Sequence, residues 1–187
     1  MANLLPFGTL QTIKTISTNQ ENLYNSLMPE VERADLQPLL GIKLYQDIIQ
    51  NPSEERYTDL LNGKDWTDSD GFKYQMKGLN YVIAYLFYAR YIVQSSLKDT
   101  FSGLVEHNFN ESDLADQRAK EKLAKQAREV ASQYWEECIL FLNYYASTYE
   151  YWLSSDKTPW KPKIRRLDQI DTSDSERCPD TGKRYIT

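Results

Sequence analysis

The chain has 187 residues, a formal net charge of −5, 41% hydrophobic and 26% charged residues, a composition that folds as one domain or as one domain with an arm. One histidine, His107, and two cysteines, Cys138 and Cys178, exclude His-rich metal centres and Cys₄ or Cys₂His₂ zinc sites within one chain. The charge argues against nucleic-acid binding over the whole surface and is uneven. Residues 157–187 hold eight basic and five acidic residues, or +3, and the remaining 156 hold 14 basic and 22 acidic, or −8.

Met1-Ala2-Asn3-Leu4-Leu5-Pro6 lacks the basic and apolar regions of a signal peptide. The most apolar window, Leu79 to Val93, is 15 residues long and contains Asn80 and Arg90, short of the ~20 residues of a membrane span. These features lead us to expect a soluble protein made in a cytoplasm, with no membrane partner and no disulfide framework.

In chain order, Ser17 with Gln20 and Thr18 with Glu21 form overlapping capping-box patterns that predict a helix start. Leu23, Leu27 and Val31 fall on its buried side, and Pro29 should kink it. The pattern runs on through Leu36, Leu39 and Leu40 to a stop at Gly41. A short helix over Ile42 to Gln50 is ended by Asn51-Pro52, and Ser53-Glu54-Glu55 starts another that Gly63 closes. Lys64 to Gly71 reads as a polar loop whose Asp68-Ser69-Asp70 caps a central helix from Phe72 to about Lys98, with Gly78, Tyr81, Tyr85, Tyr88 and Ile92 on one face. Thr100 to Glu111 reads as a loop. Ser112 then caps the longest helix, to about Ser154, with a narrow stripe of Ala115, Ala119, Leu123, Ala127, Val130, Tyr134, Cys138, Phe141, Tyr145 and Trp152. From Asp156 onward, Pro159, Pro162 and Pro179 and Ser/Asp-rich sequence read as an extended arm. The expected fold is all-α: a helical bundle over 1–155 with a long C-terminal helix, and an extended C-terminal arm over 156–187.

No motif carries catalysis. Aligning Gly71 on the glycine of a calcium loop puts Trp66 and Lys77 at the end ligand positions, where oxygen ligands are needed. Adjacent Glu136 and Glu137 point about 100° apart on a helix and do not form an acid pair. His107 has no sequence-visible nucleophile beside it. Nucleotide-loop, hydrolase-elbow and metalloprotease patterns are absent. We therefore expect neither an enzyme nor a cofactor.

The aromatic residues are the denser signal. Ten of 14 tyrosines fall in two segments, around Tyr74–Tyr91 and Tyr134–Tyr151. Tyr144, Tyr145, Tyr149 and Tyr151, with Trp152, cover most of a helix circumference. They read as protomer-interface residues, tyrosine and tryptophan being enriched where a ring is buried and its polar tip hydrated; a two-sided intramolecular core is the alternative. In the arm, Trp160-Lys161-Pro162-Lys163-Ile164-Arg165-Arg166 interleaves basic residues with tryptophan and proline. Protein docking, a solvated tail and nucleic-acid contact all fit it. Tyr185 is a further arm contact candidate, because Tyr185-Ile186-Thr187 has the residues to add to another chain's sheet.

The stretch Ala34-Asp35-Leu36-Gln37-Pro38-Leu39-Leu40-Gly41-Ile42-Lys43-Leu44-Tyr45 resembles the "PLLG…LY" turn between early helices of head-tail connector (adaptor) proteins of tailed phages, especially those of Bacteroidales and crAss-like phages. The resemblance in helix order extends over roughly residues 10–155. It implies a helical virion protein at the head-tail junction, synthesised in the host cytoplasm and assembled as a ring, commonly of twelve copies, beneath the portal protein. DNA would pass through the channel without sequence-specific binding, and tail proteins would dock next. By the same resemblance the arm would grip the portal through Trp160, Lys161, Lys163, Ile164, Arg165, Arg166 and Tyr185. The alternative is a cytoplasmic helical protein-binding module that uses the aromatic helix 130–153.

Overall fold

Helices dominate the described residues, and most breaks in them have a local cause. The computed structural model describes residues 3–95, 97–100, 103–106 and 117–152. The first helix, α1 (Phe7–Ile13), begins directly after Pro6. It went unanticipated in the sequence because it is short and holds Gly8 and two threonines, all weak helix formers. A 3₁₀ turn over Thr18–Gln20 leads into α2 (Glu21–Glu30), and the capping-box residue Ser17 makes no side-chain cap bond.

Pro29 lies inside α2. Instead of ending the helix, the chain continues through a π-helical stretch over Val31–Leu36 into α3 (Gln37–Leu40), where the Gln37 N–H donates to the Glu32 carbonyl. Wider i→i+5 bonding suits a segment that carries prolines at 29 and 38, which supply no N–H to the ladder. The run ends at Gly41, whose φ of 81° suits glycine. Next come α4 (Ile42–Gln50) and α5 (Glu55–Asn62), bounded where Asn51-Pro52 and Gly63 predict.

The all-α expectation needs correction here. Residues 64–76 form a two-stranded antiparallel hairpin, β1 (Lys64–Thr67) with β2 (Lys73–Met76), pairing Trp66 with Tyr74 and Lys64 with Met76. Asp68 caps no helix. Its Oδ1 accepts the N–H groups of Asp70 (3.0 Å) and Phe72 (2.9 Å), closing the hairpin turn in the way that aspartate favours. The central helix, α6 (Leu79–Gln94), thus starts seven residues later than Phe72. Gly78 precedes this helix instead of lining it. With Gly63 it pins the base of the hairpin: both have positive φ, and a Cβ on Gly78 would stand 2.4 Å from the Gly63 nitrogen. A second hairpin, β3 (Leu97–Thr100) with β4 (Gly103–Glu106), replaces the end of the expected helix and part of the expected loop.

The longest helix, α7 (Gln117–Tyr144), has 28 residues, after which the chain turns through 145–152. At 1.5 Å per residue the described helix is about 42 Å long, and it ends at Tyr144 instead of near Ser154, its expected cap Ser112 lying outside the described residues. Its seam is also offset from the expected stripe. Ala124, Ala127, Ala131, Trp135, Cys138, Phe141 and Leu142 are buried, and Leu123 is exposed. The alanines let α7 approach α6 closely at Ala89, flanked by Tyr85, Tyr88 and Val93. Farther along, the larger side chains enter the main core with Leu10, Leu27, Met28, Leu36, Leu40, Ile48, Tyr57, Leu60, Val82, Ile83 and Phe87.

Two polar anchors tie the helices together. On α6, Arg90 grips Asp35 of the π stretch through two bonds, Nε to Oδ2 at 2.7 Å and Nη2 to Oδ1 at 3.1 Å, and also reaches Glu30. Glu32 is buried and accepts the Leu4 N–H at 2.7 Å and the Tyr45 hydroxyl at 3.5 Å. Burial raises the Glu32 carboxyl above the ordinary carboxylate range, and burial with the nearby Glu32 charge pushes the Tyr45 phenol up to about 12. Beside them the Tyr24 hydroxyl donates to the Leu5 carbonyl at 2.5 Å, which seats Leu5 in the core.

Candidate functional site

The densest surface feature is an aromatic edge where the β1–β2 hairpin lies on the C-terminal half of α7. The hairpin places it: on a strand alternate residues share a face, so Trp66 and its cross-strand partner Tyr74 stack together, ring centroids 4.5 Å apart. Tyr144 covers the tryptophan from α7 at 4.5 Å, and Phe141 and Tyr145 meet it edge-on at 6.4 and 6.2 Å. The Lys77 N–H donates to the Glu137 carboxylate at 3.3 Å, fastening the end of the hairpin to the helix. Aromatic contacts then run inward, from Phe141 to Tyr149 (6.1 Å) and from Tyr149 to Tyr57 (6.2 Å). The outer rim is Tyr74, Tyr144 and, at the hairpin tip, the exposed Phe72. A hydrogen bond with the Asp68 carboxylate, followed by its charge, raises the Tyr74 phenol.

The five expected interface residues divide by location. Tyr149 is 1% exposed and donates its hydroxyl to the Arg56 carbonyl at 2.6 Å; burial pushes its phenol well up. Trp152 is buried, packs edge-to-face on Trp135 at 5.9 Å and donates its indole N–H to Asn143 at 2.8 Å. Tyr145 is half-buried against Phe141. These three are held within the protomer, by the turns after α7 that fold 145–152 back onto it. Tyr144 and Tyr151 remain exposed, at 45% and 41%.

Trp66, Phe72 and Tyr74 were missed as part of this edge. The signal was present: Trp66 and Tyr74 on either side of an Asp-Ser-Asp-Gly turn is a hairpin pattern, hidden by reading the same aspartates as helix caps. Trp160, Lys161, Lys163, Ile164, Arg165, Arg166 and Tyr185 lie outside the described residues, as do His107, Ser112 and Cys178.

Two further groups lie inside the helical body. Tyr57 donates a short hydrogen bond to Asp47, whose carboxylate also pairs with Arg56. Cys138 is a buried free thiol whose pKa is driven up by burial, the state of an inert core cysteine. Among the described residues, no group of three or more His, Cys, Asp or Glu side chains is placed to hold a metal ion, and no helix is long and apolar enough to cross a membrane.

A family model described as a family of unknown function, DUF6712, matches residues 36–162. That span takes in the Gly41 corner, the first hairpin, and all of α6 and α7. No curated protein and no solved structure matches the chain significantly.

Proposed function

The chain belongs to this family of unknown function, and from that premise we propose that it is a structural virion protein, a head-tail connector that forms a ring beneath the portal and links capsid to tail around the DNA channel. The observation that carries this reading is the corner at Gly41. The stretch that resembles the connector turn folds as a tight junction between two early helices, with Leu36, Leu40, Leu44 and Tyr45 buried and Ile42 exposed beside the glycine. An acidic body, −8 outside the arm, suits a passage that must not retain a polyanion. The exposed Tyr74, Tyr144 and Tyr151 offer the residue types that subunit contacts favour. The arm, with Trp160 as anchor and Lys161, Lys163, Arg165 and Arg166 around it, would raise the effective concentration of the body at the portal.

The test is electron microscopy of the full chain mixed with its cognate portal protein, alongside a variant carrying Trp160→Ala, Arg165→Ala and Arg166→Ala. Ring density on the portal, lost or thinned in the variant, is the expected result. A chain that never associates with the portal refutes the reading; a variant that binds as tightly as the parent refutes the part assigned to the arm.

A further inference from the structure

Two features on opposite flanks of α6 complement each other yet cannot meet within one protomer. One is the tip of the β1–β2 hairpin, where Phe72 is 65% exposed. Beside it the exposed Asp70 forms no ion pair among the described residues. The other is an open, mainly apolar groove of about 430 Å³, lined by Pro29, Glu30, Arg33, Ala34 and Arg90. Arg90 is committed to Asp35 and Glu30, whereas the exposed Arg33 forms no ion pair among the described residues. The flanks follow from α6 itself. Tyr81 meets Tyr134 of α7 at 5.3 Å, and Arg90, nine residues on, meets Asp35. Nine residues turn a helix by about two and a half turns, so the groove lies across α6 from α7 and the hairpin that packs on it. The hairpin also runs away from the groove. Its end at Lys77 is fastened to Glu137 and Trp66 lies farther along α7 at Tyr144, whereas α6 runs the other way, its Ala89 clustering with Ala124 and Ala127.

We propose that the hairpin tip of one copy seats Phe72 in the groove of the next, against Pro29 and Ala34, with Asp70 meeting Arg33. The proposal rests on the ring-forming reading above and supplies its subunit contact. A second copy is the occupant because one chain carries both halves of the fit. An aromatic knob stands beside an unpaired carboxylate, and an apolar groove beside an unpaired guanidinium. Lys73, the other exposed charge at the tip, finds its counter-charge in Glu30, whose side chain is 54% exposed. A buried aromatic anchor rimmed by charge is the usual form of an interface hot spot. The contact is heterologous: a copy that donates its tip still offers its groove, on the opposite flank, to a further copy. Repetition therefore passes through more than two copies, and it gives a ring where the rotation per step closes.

The experiment is sedimentation of the full chain at increasing protein concentration. The parent should associate beyond the dimer. Phe72→Ala, which removes the knob, and Ala34→Arg, which fills the groove, should each associate about tenfold or more weakly. Their equimolar mixture keeps one intact tip and one intact groove, so it should stop at the dimer. Asp70→Arg and Arg33→Glu should each weaken association, and a chain carrying both should recover it. Circular dichroism confirms that the variants fold, since all four positions are exposed. A parent that stays monomeric, or a Phe72→Ala chain that associates like the parent, overturns the proposal. So does a mixture of the first two variants that stays monomeric or grows past the dimer. Loss of portal attachment by Phe72→Ala with self-association unchanged overturns it too, by giving the tip to the portal. The portal experiment fails separately: a chain that associates through tip and groove but never binds the portal keeps this contact and refutes the virion reading.

Discussion

Replacing Gly78 by alanine tests the junction that joins the first hairpin to the helical body. Gly78 has φ 87° and ψ 169°, a region that is almost exclusively glycine's and costs other residues about 1–3 kcal/mol. A Cβ there would lie 2.4 Å from the Gly63 nitrogen, 2.5 Å from the Leu61 carbonyl oxygen and 2.8 Å from the Asn62 carbonyl carbon. All three are backbone atoms at the end of α5 and cannot swing aside as a side-chain tip would, so a further cost of about 1–3 kcal/mol for overpacking is due. The expected loss is about 4 kcal/mol, read by urea unfolding followed by circular dichroism. Gly71→Ala supplies the internal comparison. Gly71 has a similar φ of 84° but nothing within 4 Å of its Cβ position, so only the conformational cost applies, about 1–2 kcal/mol. Equal losses at the two positions would refute the steric reasoning, and a loss below about 1 kcal/mol at Gly78 would refute the backbone description as well.

Three other outcomes follow from the packing. Tyr149→Phe keeps the ring against Phe141 and Tyr57 but leaves the Arg56 carbonyl without its donor, costing about 1 kcal/mol in the same assay. Arg90→Ala frees Asp35 and Glu30 and removes a partly buried forked pair; about 1–3 kcal/mol is expected for a charge-assisted bond of this kind, with little change in helix content. Glu32 sets a pH dependence. Its folded pKa is raised by burial, so its contribution to stability is full below its unfolded pKa and is lost as the pH rises through the folded value. Glu32→Gln should abolish that loss, giving a variant whose stability relative to the parent improves from acid to neutral pH; a difference independent of pH would contradict the burial of the carboxylate.

The legible parts of the fold were those where one residue type has one physical job. Gly41, Asn51-Pro52 and Gly63 ended helices because glycine and proline leave few alternatives, and α4 and α5 were readable to within a residue. The hairpins were not, because four-residue strands offer too few alternations to stand out, and the turn aspartates of the first double as helix caps. The seam of α7 slipped sideways for a different reason. Leu123 is more apolar than Ala124, yet close approach to α6 favours the smaller side chain, so hydrophobicity alone chose the wrong face. The aromatic cluster was visible in composition, but its division between core and rim was not. The turns that fold Tyr149 and Trp152 inward depend on tertiary contacts with α5 and on Asn143, which no local pattern encodes.

The alanine seam also makes α7 unequal along its length. Ala124, Ala127 and Ala131 each bury little more than a methyl group, worth about 0.8 kcal/mol. Trp135, Phe141 and Leu142 each bury a side chain worth several times as much. Local opening should therefore be graded, with amide hydrogens exchanging readily across 117–129 and slowly across 134–142. The helix would then open from its N-terminal end while its other end stays closed against the core.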